Sequence, residues 1–152
     1  MTASIRIVIA ALGGEGGGVL AKWIADMADR EGYISQTTSV PGVAQRTGAT
    51  IYYLEIFSRE QAEAAGAMPV MSMFPTPGDV DIVIAAELME AGRSILRGLA
   101  TPDRTTLITS THRAYAVAEK EKPGNAIGDP QAVNAAAGIA AKRVIAFDMD
   151  EA

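Results

Sequence analysis

The chain has 152 residues, of which 49% are hydrophobic and 20% are charged, a composition that excludes disordered and coiled-coil proteins and predicts one folded domain. Thirteen Lys and Arg against eighteen Asp and Glu leave a net charge of −5, which argues against a protein that binds the nucleic-acid backbone. The absence of cysteine excludes thiolate catalysis, disulfides and iron–sulfur clusters held by this chain.

The sequence contains no segment that resembles a signal peptide or a membrane span. Its first ten residues lack a basic start with a long apolar run, and no apolar run approaches the roughly 20 residues that cross a bilayer. We therefore expect a cytoplasmic protein with a single domain over residues 1–152, and no contact with membrane or nucleic acid.

The first part of the chain predicts a strand, a glycine-rich turn, a helix and two further strands. The continuous apolar run Ile5–Ala11 predicts a strand that is buried on both faces. Strands are also predicted at Tyr33–Val40 and Thr50–Phe57. Alternation in the second predicts one face with Ile51, Tyr53 and Phe57 and the other with Tyr52, Leu54 and Ile56. The helix is predicted from apolar side chains at helical spacing, which we expect to face the sheet: Leu20, Trp23, Ile24, Met27 and Ala28.

The second part continues the alternation of strands and helices. Glu60–Ala67 is a weakly specified connection, and Val70–Phe74 predicts a short edge strand. The remaining predictions are strands at Asp81–Ala86, Thr105–Thr109 and Arg143–Phe147 and helices at Glu87–Leu99 and Gln131–Lys142. This order predicts an α/β, three-layer Rossmann-like sandwich with a mainly parallel sheet and an antiparallel edge. Since only a few residues follow the last strand, a fragment truncated at its C-terminus and a short natural terminus are alternatives.

The glycine-rich turn after the first strand is the first candidate site. Gly13, Gly14 and Gly16 can adopt positive φ and let backbone amides approach an anion at the helix N-terminus. The dinucleotide fingerprint expects glycine where Ala11 stands, and no acidic residue ends the second strand to bind a ribose. Glu15 also places a carboxylate where a phosphate would bind. Two interpretations remain open, a turn required only for packing and an anion-binding turn, whereas NAD(P) binding is disfavoured.

The second candidate site is the segment from Pro41 to Ala49, between two predicted strands. Gln45 offers an amide and Arg46 a permanent cation suited to carboxylate or phosphate, while Gly48 permits close approach of a ligand. The alternative is a surface loop in which Arg46 pairs with an acidic neighbour.

Together the two segments resemble the γ domain of 2-oxoacid:ferredoxin oxidoreductases, and most closely the β subunit of indolepyruvate oxidoreductases. That family carries Gly-x-Gly-Gly-Gln-Gly, then Gln-Arg-Gly-Gly, then an Asp-led apolar strand and a Glu-led helix. The last part corresponds to Gly78–Arg93 here. The sequence departs from the family pattern at Ala11, Glu15 and Thr47.

The resemblance implies a subunit of an enzyme that oxidatively decarboxylates an indolepyruvate-type 2-oxo acid. It implies that thiamine diphosphate, Mg²⁺ and iron–sulfur clusters are bound by a catalytic partner subunit, which passes electrons to ferredoxin or another acceptor. This chain would bind none of them; it would pack on the partner and line the site of CoA. The resemblance also implies that Gly13, Gly14 and Gly16 form an amide-lined turn and that Gln45 and Arg46 present polar groups toward the partner or the CoA phosphates. The alternatives are a stand-alone Rossmann-like nucleotide-binding protein and a purely structural subunit.

Other polar residues give weaker signals. His112, the only histidine, and Arg113 follow a predicted strand, where α/β sites collect, and we expect them to form a cationic rim with Arg46. An exposed loop histidine without a function is the alternative. Glu87 is expected only to favour the dipole of the helix that it starts. No metal site is expected. The apolar residues near the Pro turn belong either to the core or to a partner surface: Met68, Met71, Met73 and Phe74.

Overall fold

Ten elements form in the computed structural model, which describes residues 4–41, 49–115 and 129–151. The strands are β1 (Ile5–Leu12), β2 (Tyr33–Pro41), β3 (Ala49–Ser58), β4 (Ile82–Ala85), β5 (Thr106–Ser110) and β6 (Arg143–Phe147). The helices of the described ranges are α1 (Gly17–Arg30), α2 (Arg59–Ala65), α3 (Leu88–Leu96) and α4 (Pro130–Ala140). None of these helices is long and apolar enough to traverse a bilayer.

The strands form one six-stranded sheet in the order β2-β3-β1-β4-β5-β6. β1, β4, β5 and β6 pair in parallel, whereas β3 is antiparallel to both β1 and β2. The predicted sandwich with a mainly parallel sheet and an antiparallel edge is therefore confirmed. The antiparallel pairing comes from the β2–β3 pair rather than from residues 70–74.

The core is divided by the sheet into two clusters, as the continuous apolar strands require. One lies on the side of α3 and α4 and includes Val8, Tyr53 and Leu107, and the other lies on the side of α1 and includes Ile9 and Leu54. The alternation predicted for β3 is confirmed, because Ile51 and Tyr53 belong to the first cluster, whereas Leu54 and Ile56 belong to the second and Tyr52 packs against it.

The buried face of α1 differs from the prediction. Gly17, Ala21 and Ala28 are buried, whereas Trp23 and Met27 are 67% and 59% exposed. Small residues at the contact let the helix lie close to the sheet, and this rotates the two larger side chains toward solvent. The expectation that Trp23 and Met27 face the sheet was wrong.

Residues 68–74, here named the strap, do not pair as a strand, so the edge strand predicted at Val70–Phe74 was wrong. Pro69 lacks the amide that a ladder needs. The strap is bound by side chains of β2 and β3 instead. Gln36 Nε2 donates to the Ser72 carbonyl at 2.9 Å, Thr38 Oγ1 donates to the Met73 carbonyl at 2.7 Å, and the Ser72 amide donates to Glu55 Oε2 at 2.7 Å.

The bounds of the helices also differ from prediction, and α4 spans Pro130–Ala140 where Gln131–Lys142 was predicted. The weakly specified connection after β3 contains the helix α2, which ends at Gly66 with φ 66°. α3 ends at Leu96, three residues before the predicted end, because Gly98 adopts φ 70° and turns the chain. These differences change element lengths without changing the topology.

Candidate functional site

The parallel strands bring the predicted polar segments to one edge of the sheet. β1, β4, β5 and β6 point the same way, so the residues after them lie together at what we call the carboxyl edge. Pro41 pairs with Thr50, and Thr50 pairs with Ala11, so β2 ends and β3 begins at this edge, on either side of residues 42–48. Three predicted site residues lie outside the described residues: Gln45, Arg46 and Gly48.

The glycine turn is held by hydrogen bonds between residues at its two ends, Leu12 and Glu15. Gly14 and Gly16 adopt φ of 94° and 77°, and Gly16 is the N-cap of α1; Gly13, like them, is exposed. The carboxylate of Glu15 accepts a hydrogen bond from the Leu12 amide at 2.6 Å, and the Glu15 amide donates to the Leu12 carbonyl at 3.2 Å. Because a carboxylate of the chain already occupies this amide, an incoming phosphate would have to displace it.

Gly17, which the sequence did not single out, sets the distance between α1 and the sheet. A Cβ atom there would lie 2.7 Å from the Ala11 Cβ and 2.9 Å from Tyr52 Cε2. The methyl group of Ala11 thus takes the space that a larger residue at position 17 would need. The signal in the sequence is the continuation of the glycine run beyond Gly16.

Residues 111–115, the His112 loop, follow β5 at the carboxyl edge. His112 Nδ1 lies 3.2 Å from Asp150 Oδ2, and the imidazole side chain is 38% exposed. The Arg113 side chain is only 11% exposed; its Nη1 lies 3.2 Å from Glu87 Oε1, and its guanidinium stacks 4.9 Å from the Tyr115 ring centroid. His112 and Arg113, the described members of the predicted rim, therefore each lie beside a carboxylate.

The described segments that directly follow the parallel strands are mostly acidic. Their cationic groups are Arg113 and, when protonated, His112. Their carboxylates are Glu15, Glu87, Asp148, Asp150 and Glu151. A polyanion would not be attracted by these groups alone, so its binding at this edge would require a cation from outside them.

The opposite edge of the sheet carries a network of ion pairs. Arg6 Nε donates to Glu55 Oε1 at 3.1 Å, and Arg6 Nη1 lies 2.7 Å from Asp79 Oδ1. Arg104 Nε donates to Asp81 Oδ1 at 2.7 Å, and its Nη1 binds Asp79. The hydrogen bond to Asp81 raises the pKa of Arg104 above its ordinary value, although burial of the guanidinium acts in the opposite direction. Among the described residues, no three His, Asp or Glu side chains form a group that could hold a metal ion.

Glu55 is the buried centre of this network. Burial raises its pKa, but hydrogen bonds from Ser4 Oγ, the Ser72 amide and Arg6 outweigh it and hold the pKa of Glu55 below its ordinary value. Burial, together with the nearby Glu55 carboxylate, raises the pKa of Tyr53 to about 12. An open cavity of about 470 Å³ lies between this network and the strap. The polar side chains that line this cavity, Ser4, Arg6 and Glu55, hydrogen-bond to one another, so we interpret the cavity as a structural feature.

A family model described as pyruvate ferredoxin/flavodoxin oxidoreductase matches residues 6–152. Among solved structures, the PORC subunit of pyruvate oxidoreductase from Thermotoga maritima is 16% identical, with a TM-score of 0.54 over 92% of this chain. The 2-oxoglutarate:ferredoxin oxidoreductase from Magnetococcus marinus, solved with 2-oxoglutarate, coenzyme A and succinyl-CoA, is 15% identical, with a TM-score of 0.57 over 97% of this chain. No curated protein matches the sequence.

The two similar structures are longer than this chain. The match covers 60% of the Thermotoga chain and 20% of the Magnetococcus chain. At these identities the likeness concerns the fold, and the same fold can serve different partners and ligands.

Proposed function

Since the chain belongs to the pyruvate ferredoxin/flavodoxin oxidoreductase family, as its two short motifs predicted, we propose that it is the γ-type component of a 2-oxoacid oxidoreductase. The family match over residues 6–152 carries this proposal. We further propose an indolepyruvate or related arylpyruvate as the oxo acid, on the resemblance of the glycine turn and the Gln-Arg segment alone. The complex would work in the cytoplasm.

In this proposal the chain contributes a surface and no redox centre. It contains no cysteine, so the iron–sulfur clusters belong to a catalytic partner subunit that also binds thiamine diphosphate and Mg²⁺. That partner would pass the electrons to ferredoxin or another acceptor. The Magnetococcus structure contains CoA and succinyl-CoA, which supports a place for CoA in such complexes.

We propose that Arg46, with Gln45 beside it, supplies the cation for the phosphates of CoA. The described segments that directly follow the parallel strands are mostly acidic, and Arg113 is engaged by Glu87, so the guanidinium of Arg46 is the group that would attract them. The exposed glycines of the turn, together with Gly48 and His112, would form the neighbouring surface.

We expect Arg46→Ala to raise the KM for CoA about tenfold in the assembled enzyme, because it removes one charge-assisted hydrogen bond. The value of kcat should change less, and Arg46→Lys should recover part of the loss. Steady-state rates with CoA as the varied substrate give both constants. Arg97→Ala, at an exposed arginine after α3, is the matched control. An unchanged KM in Arg46→Ala would contradict the assignment.

Capture of the tagged full chain from its native cells tests the proposed complex. We expect a larger, brown, iron-containing protein to copurify. A monomer that binds NAD or adenine nucleotides tightly would instead indicate a stand-alone nucleotide-binding protein. In an assembled complex, failure of CoA to protect residues 45–48 from proteolysis or chemical modification would indicate a purely structural subunit.

A further inference from the structure

Glu87 is a buried carboxylate at the carboxyl edge whose two oxygens bind two different segments. The residue is 1% exposed and stands between β4 and α3. Its Oε2 accepts a hydrogen bond from the Met89 amide at 2.8 Å, which caps the first turn of α3. Its Oε1 accepts hydrogen bonds from Arg113 Nη1 and from the Ala114 amide, both at 3.2 Å. One carboxylate therefore joins the start of α3 to the His112 loop.

Helix capping alone does not account for glutamate at this position. Ser, Thr, Asp and Asn are the preferred caps, because a short side chain reaches the first free amides of the helix. A buried carboxylate is costly unless several donors or a cation compensate for its lost hydration. The bonds to Arg113 and Ala114 supply that compensation. The longer side chain is thus suited to capping the helix and reaching the loop at once.

The backbone of the His112 loop is also held from two sides. The Leu88 amide, at the start of α3, donates to the His112 carbonyl at 3.1 Å. The His112 amide donates to Ser110 Oγ at 3.0 Å, and the same oxygen accepts from the Met149 amide at 3.1 Å, in the segment after β6. The backbone of His112 is therefore fixed, while its imidazole stays partly exposed beside Asp150.

We infer that Glu87 is a positioning residue, which fixes the His112 loop so that the imidazole projects from the carboxyl edge in one orientation. The inference rests on the proposed function, in which this loop borders the CoA site. It adds that the chain itself fixes the loop before CoA binds. In this inference Glu87 acts only through the groups that it binds, the amides of Met89 and Ala114 and the guanidinium of Arg113. Loss of its charge should therefore displace His112 without removing a group of the proposed site.

The only histidine of the chain provides the test, because a single imidazole signal reports on the loop in the full chain. We compare the Hε1–Cε1 nuclear magnetic resonance signal of His112 in the wild type, Glu87→Gln and Glu90→Gln. Glu90 is the matched control, since it is a buried carboxylate of α3 that pairs with Arg93. Glu87→Gln should shift or broaden the signal and speed amide exchange of His112 and Ala114 about tenfold or more, whereas Glu90→Gln should change neither.

An unmoved His112 signal in Glu87→Gln would overturn the inference. Equal changes in both variants would also overturn it, because the loop would then depend on α3 as a whole. If Glu87→Gln does not fold, exchange of the Ala114 amide in the wild type decides, because this amide donates to Glu87: protection supports the inference, and exchange at the rate of an unfolded chain contradicts it. These measurements involve neither CoA nor a partner, so their failure is distinct from failure of the proposed function.

Discussion

Replacing Gly17 with alanine should lower the free energy of unfolding by about 2 kcal/mol or more, as expected for overpacking. The added Cβ would lie 2.7 Å from the Ala11 Cβ and 2.9 Å from Tyr52 Cε2, so α1 must move away from the sheet. Urea unfolding of the two proteins measures the difference. Gly138→Ala is the matched control: no atom lies within 4 Å of its ideal Cβ, and the change should stabilise α4 by up to about 1 kcal/mol.

The double variant Ala11→Gly, Gly17→Ala separates the steric cause from other effects of the substitution. Removing the Ala11 methyl group takes away the nearest contact, so the double variant should recover part of the lost stability. The double-mutant cycle gives this coupling as a free energy. Additive losses would show that the contact between Ala11 and Gly17 does not limit the position of α1.

Replacing Glu55 with glutamine should cost about 3 kcal/mol of stability at neutral pH, because it leaves Arg6 without its buried partner. The NH2 group of the glutamine would also face donors that bind the Glu55 carboxylate in the wild type, such as the backbone amide of Ser72. Glu63→Gln, at an exposed position of α2, should stay within about 0.5 kcal/mol of the wild type. A loss in Glu55→Gln no larger than that of the control would refute the central role of Glu55.

The lowered pKa of Glu55 also predicts how the difference in stability between the wild type and Glu55→Gln changes with pH. The pKa of Glu55 is lowered in the folded state, so its contribution is fully present above the pKa of the unfolded chain and is lost as the pH falls through the folded-state pKa. Unfolding measured from neutral pH down to about pH 3 should therefore show the wild type and Glu55→Gln converging. A constant difference over that range would contradict the lowered pKa.

The sequence predicted those elements whose local pattern and packing agree. The alternation in β3 gave both of its faces correctly, because period two leaves only one way to bury Tyr53 on one side and Leu54 on the other. The face of α1 was less well predicted, because helical spacing identifies apolar positions without saying which neighbours allow close approach. The buried small residues Ala21 and Ala28 decided the orientation, and Trp23 was left exposed.

The long-range side-chain contacts could not be predicted from the sequence. The strap depends on Gln36 and Thr38, more than 30 residues away, and nothing in its own residues indicates those partners. Glu87 was expected to interact with its own helix, and that contact is present at Met89. Its second function, the bonds to Arg113 and Ala114, requires the topology that places β5 beside β4. Such contacts join segments whose proximity only the folded sheet determines.

The pairing of β2 with β3 has a consequence for the connection between these two strands, residues 42–48. The two strands pair from Tyr33 with Ser58 to Pro41 with Thr50, and they hold the two ends of residues 42–48 together whatever connects them. Doubling the length of such a connection costs only about 0.6 kcal/mol in closure entropy. Connections of other lengths could therefore join Pro41 to Ala49 while the pairing of β2 with β3 stays the same.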